Sequence, residues 1–115
     1  MSDTLYSRIC ALGERDVSRF HMPGHKGKLD LFGGKPFARY DLTEIPGADS
    51  LYDAEDVIAA CERGYATLYG AARTALSAGG ATLPIQAMLS LVGPPGARLL
   101  VARGCHGSAV GAMML

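Results

Sequence analysis

Leu5, Ile9 and Leu12 recur every three or four residues, with polar positions between them. That period lays them on one face and predicts a short helix over residues 3–12. Asp3 is placed to cap its start and Gly13 to close its end. The period then disappears. Residues 19–50 carry many Gly and Pro and little regular patterning. So long an irregular stretch is uncommon in a compact domain unless it is functional or docks on something else. The helical period returns in "DAEDVIAACERGYATLY", residues 53–69, where Val57, Cys61, Tyr65 and Leu68 share a stripe and Ile58 and Tyr69 flank it. Asp53 is the expected N-cap, Glu55 and Asp56 suit the positive end of the helix dipole, and Gly70 is the expected stop.

Beyond Gly70 the pattern changes kind. "TALSA", residues 74–78, and "ARLLVA", residues 97–102, are short apolar runs that read as buried strands. Between them "TLPIQAMLSLV", residues 82–92, reads as a helix with Pro84 in its first turn, where no backbone donor is required. "GPPG" is a turn, and "CHGSAVGAMML" begins another helix. The order helix, strand, helix, strand, helix predicts an α/β fold with a parallel sheet. Two strands do not complete such a sheet. The closing "AVGAMML" has no cap, glycine stop or polar tail, so the chain is expected to be the front portion of a larger protein, or of a gene that has lost its remainder. Residues 1–50 are then an N-terminal helix and irregular arm, and residues 51–115 the incomplete first part of a larger α/β domain. Poorly covered apolar strands would leave such a piece aggregation-prone or dependent on a partner.

Composition narrows the class. Eleven basic and eleven acidic residues cancel, which gives no electrostatic case for nucleic acid or a membrane surface. Hydrophobic residues make up 49% of the chain, enough for a folded core. Cys10, Cys61 and Cys105 are far apart and odd in number, which reads as reduced thiols in a cytoplasmic protein. The N-terminus has no apolar core of a signal peptide, and no apolar run reaches the ~18 residues that span a bilayer.

Four stretches could carry chemistry. In "SAGGAT", residues 77–82, two glycines precede a helix that opens at Thr82. Backbone N–H groups there could cradle a phosphate, although an ordinary strand-to-helix turn has the same composition. It is neither a Walker A loop nor GxGxxG. In "RGCHGSA", residues 103–109, His106 and Ser108 follow the second predicted strand. This is where open α/β sheets place ligands. His106 could stack on a flat cofactor, move a proton, or simply stand at a helix start. In "RFHMPGHKGK", residues 19–28, His21 and His25 flank a Pro-Gly turn with Lys26 and Lys28 following. No third ligand is near, so a metal site is not expected. The lysines could hold an anion or form a basic surface loop. "DLTEIPGADSL", residues 41–51, has no single chemical reading.

Taken together, "FHMPGHKGK", "DLTEIPGADSL", "YGAARTALSAGGATLPIQAML" and "LLVARGCHGSAVGAMML" resemble the start of the ornithine/lysine/arginine decarboxylase major domain. The resemblance runs from about residue 19 to the last residue. It implies the start of an aspartate-aminotransferase-like fold of pyridoxal-phosphate enzymes, cut after about two strands of the large-domain sheet. It also implies a pyridoxal 5'-phosphate cofactor, a basic amino acid substrate and a homodimer or higher oligomer.

The family's phosphate-gripping Asn-Gly-Ser-Thr corresponds here to Gly79, Gly80, Ala81 and Thr82. Its Cys-His-Lys-Ser corresponds to Cys105, His106, Gly107 and Ser108. The resemblance thus implies cofactor binding by Gly80, Ala81, Thr82, His106 and Ser108, with His106 stacked on the pyridine ring. The resemblance also implies that His21, His25 and Lys26 belong to a loop near the active site. The family's Schiff-base lysine and pyridine-nitrogen acid lie downstream of the matched stretch, so no catalytic residue is expected within these 115 residues. A chain of this kind would be inactive alone. The alternative is a non-catalytic remnant, or a docking protein that binds a full-length relative.

Overall fold

The computed structural model describes residues 4–28 and 37–115. Residues 1–76 and 77–115 form two compact units. In the first, helix α1 spans Leu5–Gly13 and helix α2 spans Val57–Tyr69, with a 3-10 turn at Phe37–Tyr40 between them. In the second, α3 spans Thr82–Val92 and α4 spans Gly107–Ala112, and the two pack together.

α1 is the helix expected from the Leu5, Ile9, Leu12 stripe. Its start is set by Thr4 and Ser7; Asp3 lies outside the described residues. The Thr4 hydroxyl accepts the Ser7 N–H at 3.1 Å, and the Ser7 hydroxyl accepts the Thr4 N–H at 2.9 Å. This reciprocal pair satisfies two donors that a helix start otherwise leaves open. At the other end Gly13 lies against Tyr40, where an added Cβ would fall 2.5 Å from a ring carbon. Only glycine permits that approach. Above it, Tyr40 Oη and Arg39 Nη1 both donate to Glu14 at 2.8 Å. The Tyr40 hydroxyl and then Arg39 hold the Glu14 carboxyl below its usual range.

α2 keeps the predicted stripe but begins at Val57, four residues after the expected Asp53 cap. Asp56 stands at the N-cap position and its side chain caps nothing. Asp49 does this work from outside the helix. Its carboxylate accepts N–H groups from Ser50, Glu55, Asp56 and Ile58 at 2.8–3.0 Å. Those donors, Glu55 first, hold the Asp49 carboxyl far below its ordinary value. Its backbone sits at φ +68°, a left-handed conformation that Asp tolerates better than most residues. Gly70 ends α2 at φ +63°, as predicted. Leu12, Val57 and Ala59 are the buried apolar residues of this unit among those described. Arg8 joins the two helices by donating to Asp56 Oδ2 at 3.1 Å and to the Gly47 carbonyl at 3.3 Å.

The α/β expectation, a sheet cut after two strands, is overturned. The described residues form helices and turns, and no strand is found among them. A helix satisfies its own backbone, whereas a strand needs a neighbour to take its N–H and C=O groups. Among the described residues neither apolar run has one. In residues 74–78 the Leu76 N–H goes to the Glu62 carboxylate of α2 at 2.8 Å instead of to a ladder. Residues 97–102 run between two turns, closed by Ala97 N–H to Pro94 and Cys105 N–H to Ala102. Their side chains are exposed, Leu100 almost completely. Apolar content therefore marked segments that want burial, and burial by strand pairing does not follow from content alone.

Candidate functional site

In the unit of residues 77–115, Gly80 turns the chain at φ +60° into α3. An added Cβ on Gly80 would meet nothing within 4 Å, so the approach to this turn is open. Gly79 differs: a Cβ there would lie 2.7 Å from Leu83, so its glycine serves packing. Ala81 occupies the N-cap position of α3 and no side chain caps that end. The first-turn N–H groups of a helix have no intrahelical partner, and Pro84 has none to satisfy. Gly80, Ala81 and Thr82 are all exposed. The result is an accessible helix N-terminus, eleven residues of aligned dipoles behind it, with donors available to an anion.

His106 and Ser108 begin α4. His106 is the N-cap residue, and its side chain accepts the Ser108 N–H at 3.2 Å. The same ring nitrogen, Nδ1, lies 2.9 Å from the Ser108 hydroxyl. Because a backbone N–H already donates to Nδ1, that atom bears the lone pair and the hydroxyl donates to it as well. His106 is exposed while Ser108 is buried. Gly107 has open space at its Cβ position.

In the unit of residues 1–76, the loop of residues 19–28 is stapled at its root. Arg19 donates to the carbonyls of Gly13 and Arg39, both at 2.9 Å. Gly27 at φ +75° rests against that guanidinium, 2.7 Å from where its Cβ would be. His25 Nδ1 accepts the Gly27 N–H at 3.1 Å, so its Nε2–H donates to Asp41 Oδ2, also at 3.1 Å. Lys26 donates to the His21 carbonyl, and His21 donates from Nδ1 to the Met22 carbonyl. The two histidines thus have separate partners. Lys26, at φ +55°, spends its ammonium on the loop's own backbone.

The Asp41 pairing was invisible in sequence. Sixteen residues separate Asp41 from His25, and nothing local marks the acid as its partner. Asp49 escaped notice for the same reason. Two concavities, one of about 300 Å³ between α1 and α2 and one of about 590 Å³ beside residues 89–99, are lined by none of the predicted site residues. Among the described residues no helix is long and apolar enough to cross a membrane.

Comparison with known proteins covers nearly the whole chain. A family model described as Orn/Lys/Arg decarboxylase, major domain, matches residues 4–115. The uncharacterized protein YaaO of Bacillus subtilis is 33% identical over 113 residues, which are 94% of this chain and 24% of that protein. The arginine decarboxylases of Halalkalibacterium halodurans and Bacillus subtilis are each 28% identical over 116 residues, 96% of this chain and 24% of theirs. The chain therefore spans about a quarter of the length of the curated relatives it matches. No solved structure matches it.

Proposed function

The chain belongs to the Orn/Lys/Arg decarboxylase major-domain family, and from that premise we propose that it is the N-terminal portion of a pyridoxal-phosphate-dependent decarboxylase of basic amino acids. The substrate class is arginine, lysine or ornithine, and the whole enzyme works as a dimer or higher oligomer in the cytoplasm. The observation that carries the cofactor assignment is the open, uncapped N-terminus of α3 behind Gly80.

The residues present fit a phosphate ester. The N–H groups of Thr82 and Leu83 belong to the first turn, and the Thr82 hydroxyl adds a donor at the same end. Gly80 leaves room for close approach. Ala81 supplies no hydroxyl where the family's motif has serine, so the backbone carries more of the contact. His106 presents its exposed ring to the flat heterocycle. Pyridoxal phosphate, when bound, supplies the electron sink that decarboxylation needs. The part played by these residues is to hold and orient it. Lys26, Lys28 and Lys35 all lie in the arm before α2 and take no covalent role. The lysine that would anchor the cofactor is not among these 115 residues, and the chain alone releases no CO₂.

A second reading, a non-catalytic remnant or a chain that docks on a full-length relative, is favoured by Gly79, Ala81 and Gly107, which each stand where the family's motif has a polar side chain. Titration of the chain with pyridoxal 5'-phosphate, followed by amide NMR, tests the proposal. Shifts should concentrate at Gly80–Leu83 and at His106, and borohydride should fix no cofactor stoichiometrically on one lysine. A response elsewhere, or a single lysine labelled to completion, would overturn it. No response at all favours the second reading.

A further inference from the structure

Ser108 is the one buried polar side chain among the described residues, at 5% exposure, and its hydroxyl is committed to a ring nitrogen. We propose that Ser108 is a positioning residue that locks the neighbouring His106 ring in one orientation and in the Nε2–H tautomer. The proposal rests on the reading above insofar as His106 faces the cofactor.

The geometry separates this role from capping. Capping α4 needs one acceptor for the Ser108 N–H, and His106 Nδ1 supplies it at 3.2 Å. The hydroxyl at 2.9 Å is a second donor to that same nitrogen, which the cap does not require. Two donors from one residue, one from the backbone and one from the side chain, fix both the position of Nδ1 and the plane of the ring. Occupied twice, Nδ1 is withdrawn from proton exchange with a ligand. The neutral ring then carries its proton on Nε2, for which the described residues offer no hydrogen-bond partner. His106 is therefore presented as a fixed flat face with an outward Nε2–H donor. Of the two chemical roles open to it, this favours stacking and donation over general-base work through Nδ1. Ser108 acts on the cofactor through His106, from beneath it. Orienting the ring in advance removes rotational freedom that binding would otherwise have to remove.

Long-range ¹H–¹⁵N correlation of the imidazoles in the 115-residue chain reads the tautomer directly. With three histidines in the sequence, H106N assigns the signal. Wild-type His106 should show the Nε2–H pattern alone. S108A should keep the Nε2–H form, because the capping N–H still donates to Nδ1, but it should free the ring, read as raised mobility of the His106 imidazole in ¹³C relaxation while far-UV circular dichroism stays unchanged. S108T, which restores the hydroxyl, should restore the wild-type rigidity. Pyridoxal 5'-phosphate should bind S108A about fivefold more weakly, as expected for loss of one neutral hydrogen bond. The positioning role is overturned if wild-type His106 populates the Nδ1–H tautomer, which needs no variant to establish. It is equally overturned if S108A leaves the His106 ring as rigid as in wild type. Should wild type ignore pyridoxal phosphate yet show the expected tautomer, with the ring loosened by S108A, the functional reading falls and the lock stands.

Discussion

Replacing Gly64 and Gly70 in turn by alanine puts the same methyl group on two backbones with opposite demands. Gly64 lies within α2, and a Cβ there meets nothing within 4 Å. The substitution adds no clash and removes the entropy penalty of glycine in a helix, a gain of about 0.5–1 kcal/mol. Gly70 also has open space at its Cβ position, but its φ is +63°. Alanine there pays for left-handed backbone, about 1–2 kcal/mol. The N–H groups of Gly70 and Ala71, which close the helix on the carbonyls of Ala66 and Thr67, are lost if the cap rearranges to escape that strain. The two variants should therefore differ by about 2 kcal/mol, a factor of about 30 in the folding equilibrium. Urea titration followed by circular dichroism at 222 nm is the assay. G64A should raise the midpoint and G70A lower it, with the slope unchanged in both. If G70A were neutral or raised the midpoint, the left-handed stop of α2 would be wrong.

Three further outcomes follow from other contacts. Asp49→Asn should flatten the acid limb of stability: the folded carboxyl lies below its ordinary value, so its contribution is complete above about pH 4 and is lost as pH falls toward the folded value. Urea midpoints measured between pH 5 and the acid transition check this, and an equal slope in wild type and variant would refute it. Leu12→Ala removes a side chain that is 3% exposed in a core it shares with Val57 and Ala59; it should cost about 2–5 kcal/mol and largely unfold α1 by circular dichroism. Gly27→Ala places a Cβ 2.7 Å from the Arg19 guanidinium at φ +75°, which should loosen the staple of the 19–28 loop and speed tryptic cleavage after Lys26 and Lys28.

Part of the local structure was legible in the chain. The helix from Thr82 to Val92 and a helix start beside His106 lie where the pattern put them, although the strands expected before them do not form among the described residues. Each depends on signals within a few residues: a glycine at positive φ, a proline in a first turn, a period of 3.6. The family, too, was readable, because its motifs are short and contiguous. What sequence missed lies in contacts across distance. Asp41 as the partner of His25 and Asp49 as the clamp on α2 depend on which loops meet.

The amino-acid order by itself determined where helices α1–α4 lie, though not where α2 begins, the stop at Gly70 and the family to which the chain belongs, since helical hydrogen bonds and glycine's conformational freedom are local properties. Tertiary structure alone decided the rest. Residues 74–78 and 97–102 have the apolar content of strands, but a strand exists only when another segment accepts its backbone groups, and among the described residues none does. The lone pair on His106 Nδ1 was likewise settled by two donors from Ser108, because a tautomer is fixed by the partner a ring nitrogen meets and not by the identity of the residue.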